Sequence, residues 1–205
     1  MTNTLVAVTL IASVICFQRR DLMDKFIFNP EKISRNNEWY RFISSGFIHA
    51  DWIHLLFNMF VLYSFGQIVE SYYRDIFGPA GRNYYLLLYF GGLVASVLPT
   101  YMQQKNNPSY NALGASGAIS GVLFTFILLN PLEKLYLFGL RILGLPGIIY
   151  GILYLVYCYY AARKGGDYIN HDAHFWGALY GVCFTLAMKP QLGPYFIEQL
   201  KGILP

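Results

Sequence analysis

The chain has 205 residues, 56% of them hydrophobic, 18% aromatic and 13% charged, with a formal net charge of +4. A soluble domain carries about a quarter charged residues, so this is a membrane composition. No basic tract with interleaved aromatics occurs, which argues against a nucleic-acid partner.

The first apolar stretch, Leu5 to Phe17, lacks a basic run before it and a small-residue cleavage site after it; Arg19 and Arg20 follow instead. It is expected to be a retained helix, Thr2–Gln18, and not a cleaved signal. A connection over about residues 19–51 mixes Trp39, Tyr40, Phe42, Phe47 and Ile48 with charges. Such a mixture suits an element half-embedded at the membrane interface. Five more apolar helices are predicted over Trp52–Ser71, Tyr84–Met102, Ala115–Leu129, Pro146–Ala162 and Asp172–Met188. Gly78-Pro79-Ala80-Gly81, Asn106-Asn107-Pro108, Asn130-Pro131 and Lys189-Pro190 supply the breaks, and Asp172 is read as the last helix's N-cap. Some helices fall short of the about 20 residues that span a hydrocarbon core of about 30 Å. The expected fold is all-α: a polytopic six-helix membrane bundle forming a single domain over residues 1–205. Cys16, Cys158 and Cys183 lie inside apolar stretches, and an odd count so placed argues for packing and against a disulfide framework.

The second, fourth and sixth predicted helices cross in one direction, and each carries a polar residue at its start. These are His54, Ser116 and His174, which therefore share one depth on one side. Ser116 lies in Gly114-Ala115-Ser116-Gly117, with Gly121 four residues further on. In the last helix Gly177 and Gly181 are likewise four apart, and His174 shares their face. Two such small-residue faces pack closely, which would bring Ser116 and His174 together. A serine at a helix N-terminus also has unpaired N–H groups beside it for a developing oxyanion. His54 and Asn58, four apart on one face, add two further donors. No acid completes a triad, so the machinery is expected to be a Ser–His dyad hydrolysing a peptide bond.

Two alternatives belong to other classes. His49, His54, His171 and His174 all fall on the same side, so a metal-dependent membrane enzyme or transporter is conceivable, although no H-E-x-x-H motif is present. A non-catalytic binder of membrane proteins would need neither Ser116 nor His174.

The chain resembles the rhomboid intramembrane proteases, in a minimal six-helix bacterial-type form, from about Trp39 to Lys189. The resemblance rests on Tyr40-Arg41 before Phe47-Ile48-His49, on His54 and Asn58, on the G-x-S-G at Ser116, and on the A-H-x-x-G-x-x-x-G run from Ala173 to Gly181. It implies a serine endopeptidase acting on transmembrane protein substrates in the lipid bilayer. Ser116 would be the nucleophile and His174 the base. His54, Asn58 and the backbone N–H at Ser116 would be oxyanion donors, with Gly114 and Gly117 in the same substrate-binding loop. No cofactor and no metal are implied. Lys164–Asn170 would form a mobile cap. The implied location is a bacterial inner (cell) membrane, with a cytoplasmic N-terminus and the site near the outer face. The lysine and arginine distribution, heavier on the opposite side, votes the other way. Many bacterial relatives place a tyrosine four residues after the serine, where its ring stacks on the catalytic histidine; here that position is Ser120, which leaves open what orients His174.

Overall fold

A computed structural model describes residues 1–136, 144–165 and 169–201. Ten α-helices are present among them: α1 (Thr2–Gln18), α2 (Arg20–Phe26), α3 (Pro30–Asn36), α4 (Arg41–Ser44), α5 (Trp52–Phe77), α6 (Gly81–Gln104), α7 (Ser116–Leu129), α8 (Gly147–Lys164), α9 (His171–Met188) and α10 (Leu192–Lys201). Six of these match the six apolar stretches of the sequence, mostly to within a turn at either end. The helical run Trp52–Gln104 is long and apolar enough to cross a membrane, and Thr2–Gln18 and Ser116–Leu129 are shorter apolar helices. Gly78, at φ +57°, divides that run into α5 and α6. A left-handed residue ends a helix readily where no Cβ opposes it, and Pro79 begins the next turn.

The sequence reading predicts no strand, yet Lys134–Tyr136 (β1) and Gly144–Pro146 (β2) pair antiparallel between α7 and α8. Three-residue strands are too short to show an alternating pattern. Pro146 closes β2 and caps α8, so that helix starts one residue later than predicted.

The bundle is built around α7. Every residue from Gly117 to Leu129 is buried, so this helix has no face left for solvent or lipid. Helices apolar on all sides are those enclosed by neighbours. Helices α5, α6, α8 and α9 all pack against it. The crossing of α7 with α9 is the closest, since Gly117 meets Gly177 and Gly121 meets Gly181 backbone to backbone. Below it, buried hydroxyls satisfy one another: Tyr73 with Thr185 at 2.7 Å, and Thr185 with Thr125 at 3.1 Å.

The connection before α5 is a folded element held by polar bonds. The buried Arg41 guanidinium donates to the carbonyls of Asp24 (2.9 Å) and Ile27 (2.7 Å) and pairs with Glu38. That pairing holds the Glu38 carboxyl below the usual carboxylate range. Asn29 caps α3 by accepting from Lys32 N, while its amide nitrogen lies 3.1–3.2 Å from the oxygens of Pro108, Tyr110 and Asn111. Phe28 and Ala112 exchange backbone bonds, and Gly114 N donates to Ser45 O. The first connection thereby fixes the segment that leads into Ser116.

Candidate active site

Ser116 is the first residue of α7, and no side chain caps that helix. The first N–H groups of a helix have no partner within it, so the N-terminus around Ser116 is a local source of donors. The loop arrives there through Gly114, at φ +110°, a conformation that side chains rarely adopt. A Cβ at Gly114 would also come within 2.8 Å of the His54 ring. The glycine is therefore required twice, by its backbone angle and by the imidazole packed on it.

His174 lies on the first turn of α9. Its Nε2 is 2.7 Å from Ser116 Oγ, a hydrogen-bonding distance between hydroxyl and imidazole. The expected nucleophile and base are thus brought together by the glycine crossing beneath them. Gly117 is part of that crossing: a Cβ there would collide with Ser96 of α6 and reach within 3.2 Å of Ala173 O. Its side of the helix serves packing.

The two expected oxyanion donors, both on α5, are in different states. The His54 ring lies against Gly114 and meets the His49 ring at 4.8 Å in an edge-on contact. Asn58 is buried, and its side-chain nitrogen donates to the His54 carbonyl at 2.9 Å. An amide NH₂ has two donors, and this bond uses one of them. His49 itself lies in the connection before α5, with Nδ1 3.1 Å from Ser13 Oγ. Burial, and after it the facing His54, pushes its imidazole down to about 3, against an opposing pull from Asp51. His49 is a neutral structural residue, paired away from His171 and His174.

Three features escaped the sequence. Asp172 is not the N-cap of α9: Asn170 is, accepting from Ala173 N at 3.0 Å, and its amide nitrogen donates to Thr100 of α6 at 3.1 Å. Asp172 stands in the first turn, where a carboxylate still favours the helix dipole. The second feature is Tyr154 of α8. Its ring lies nearly parallel to that of His174, at 17° and 6.4 Å between centroids, and its hydroxyl is 2.8 Å from Ser120 Oγ. Ser120 does not leave the histidine without an aromatic neighbour; it anchors one supplied by another helix. Helical spacing carries the signal, because Gly147, Gly151 and Cys158 mark the buried face of α8 and Tyr154 falls on it. The third is Cys158, brought beside His171 and His174. The cap expected over Lys164–Asn170 falls partly on residues 166–168, which lie outside the described residues.

A helical membrane protein with a serine and histidine joined at the ends of two glycine-packed helices is the class that fold and site define. The Rhomboid domain family model matches residues 36–191. The chain belongs to the rhomboid family, and is accordingly an integral membrane protein. It is 32% identical over 161 residues to the Rhomboid-like protein 11, chloroplastic, of Arabidopsis thaliana, covering 70% of this chain and 50% of that protein. It is 28% identical over 184 residues to the Presenilin-associated rhomboid-like protein A, mitochondrial, of Danio rerio, covering 83% and 44%. A match at 32% over 92 residues to the rhomboid YdcA of Bacillus subtilis (strain 168) covers 45% and 42%. The chain spans about half the length of the curated relatives it matches. With chloroplast and mitochondrial proteins among them, these relatives do not favour a bacterial inner membrane over an organelle membrane.

Proposed function

We propose that this chain is an intramembrane serine endopeptidase that cleaves transmembrane segments of other membrane proteins with a Ser116–His174 dyad. The observation that carries the reading is the 2.7 Å approach of His174 Nε2 to Ser116 Oγ at the start of a buried helix. Six helices (α1, α5, α6, α7, α8 and α9) would cross the bilayer, with the connection over residues 19–51 half-embedded beside them and the site toward the outer face. At about 1.5 Å per residue, the 14 residues of α7 span about 21 Å, less than a hydrocarbon core of about 30 Å. Ser116 would then lie below the lipid surface, where a substrate's own backbone is exposed only once its helix unwinds.

In the proposed reaction the Ser116 hydroxyl proton passes to His174 Nε2 as Oγ attacks the scissile carbonyl. The carbonyl oxygen takes the negative charge and is met by the uncapped N–H groups at Ser116, with His54 and the second N–H of Asn58 as further donors. Collapse breaks the C–N bond, and His174 returns its proton to the leaving amine. Water, deprotonated by the same imidazole, then releases the acyl group.

Cleavage of a single-span reporter protein in proteoliposomes tests the proposal. Ser116→Ala is expected to abolish it, and substantial residual proteolysis would overturn the assignment. Labelling of Ser116 by a fluorophosphonate separates a protease from a rhomboid-like protein that only binds membrane proteins. Asn58→Ala is expected to slow turnover about 10²–10³-fold if the amide meets the oxyanion.

A further inference from the structure

Helix α8 presents Cys158 one turn beyond Tyr154, on the same inward face. Helix α9 presents His171 one turn before His174. One ligand atom from each of Cys158, His171 and His174 lies within 4.8 Å of the other two. The two imidazole rings are nearly perpendicular, at 83° and 6.0 Å between centroids, so their nitrogens converge from different directions. Cys158 and His171 are buried, whereas His174 is partly exposed and offers the way in. The dyad chemistry uses neither Cys158 nor His171.

A thiolate with two imidazoles is a donor set for zinc and other borderline-soft cations, and a poor one for magnesium or calcium. Zinc bound tetrahedrally holds sulfur and nitrogen ligands roughly 3.3–3.6 Å apart. Closing the trio around an ion therefore asks for about 1 Å of side-chain movement, in the first turn of α9 and at Cys158 in the second half of α8, and not in the glycine crossing. Water can complete the fourth position, as at other sites with three protein ligands.

We propose that Cys158, His171 and His174 form an inhibitory zinc site that withdraws His174 from its role as base. Binding replaces the Cys158 thiol proton, which leaves to solvent, with a zinc–sulfur bond. If the ion takes His174 Nδ1, the neutral ring must carry its proton on Nε2, facing Ser116 as a donor, and that nitrogen can no longer accept the hydroxyl proton. If the ion takes Nε2, the bond to Ser116 is lost outright. Either way turnover stops while fold and substrate binding persist. The inhibition rests on the dyad reading; the binding does not.

Two measurements keep these apart. Cobalt(II), a coloured stand-in for zinc, is added to the purified protein, and the thiolate-to-cobalt charge-transfer band is recorded without any substrate. The band is expected for the unaltered chain and for Cys16→Ala and Cys183→Ala, and is lost in Cys158→Ala and Cys158→Ser. Its absence from the unaltered chain, or its survival in both Cys158 variants, overturns the site whatever the protein's activity. In the reporter-cleavage assay zinc is expected to inhibit reversibly, with removal by a chelator restoring turnover and magnesium having no effect. Losing outer partners of a metal ligand costs about 10–100-fold in affinity, so losing the thiol itself should raise the inhibiting zinc concentration at least about tenfold. Cys158→Ala is expected to cleave at the unaltered rate without zinc. Equal zinc sensitivity of the two proteins, or stimulation by zinc, overturns the proposed inhibition. Absence of cleavage in every metal-free sample condemns the protease reading and leaves the cobalt result standing.

Discussion

Ser116 is held from two sides by opposite means. Behind it, α7 and α9 meet through Gly117, Gly121, Gly177 and Gly181, where removal of side chains lets backbones touch. In front of it, the segment 105–115 is tied to the first connection by donors and acceptors: Asn29, the Phe28–Ala112 exchange and the Gly114–Ser45 bond. Packed backbones tolerate no added volume, because a dense interior has nowhere to move it. A set of hydrogen bonds can lose one member and keep the rest. The first region should therefore fail abruptly, and the second by degrees.

The hardest test of that contrast is Gly177→Val. Its Cβ would fall on the Gly117 carbonyl, so α9 must separate from α7. Overpacking of this kind should cost about 3 kcal/mol or more, and thermal unfolding in detergent should show it together with loss of Ser116 labelling. Asn29→Ala removes contacts to three oxygens and the α3 cap. It should cost about 2 kcal/mol and lower turnover partially, with Ser116 still labelled. Tyr154 sharpens the comparison further, because it braces His174 from α8 without entering either region. Tyr154→Ala should cost about 1 kcal/mol of ring contact and lower kcat with little change in KM, whereas Tyr154→Phe keeps the ring and most of the rate.

The one expected effect that vanishes near neutral pH is a pH dependence at His49. Its imidazole titrates near 6.5 when unconstrained and is pushed down to about 3 in the fold. Between those values the unfolded chain takes up a proton that the folded chain refuses, so stability falls as pH drops through that interval. His49→Asn should flatten this acid loss of melting temperature; an unchanged slope would assign the loss to other groups.

Much of this was legible beforehand, for specific reasons. Apolar runs broken by Gly78-Pro79 and Asn130-Pro131 mark helix limits because glycine and proline act locally. Ser116 and His174 could be brought together on paper because helix direction and a four-residue glycine spacing fix both depth and face. Tyr154 could not be chosen so directly: α8 alone carries five tyrosines, at 150, 154, 157, 159 and 160, and hydropathy does not distinguish them. Its partner, Ser120, lies on another helix. The Asn29 clamp is likewise a choice of partner across about eighty residues, which no local pattern encodes. Asn170 displaced Asp172 as cap because both suit the position, and the bond to Thr100 of α6 selects between them.

The enclosure of α7 has a further consequence. Among the described residues, Gly117 to Leu129 of the helix bearing Ser116 are buried by its neighbours, so strain in the surrounding lipid reaches that stretch through them. Changes in bilayer thickness or acyl-chain order should then alter how readily a substrate gains access, seen in the concentration needed for half-maximal cleavage. The rate of serine modification by a small water-borne reagent should stay constant across the same lipids. The inner helix behaves as a keel, insulated from the medium in which the rest of the hull flexes.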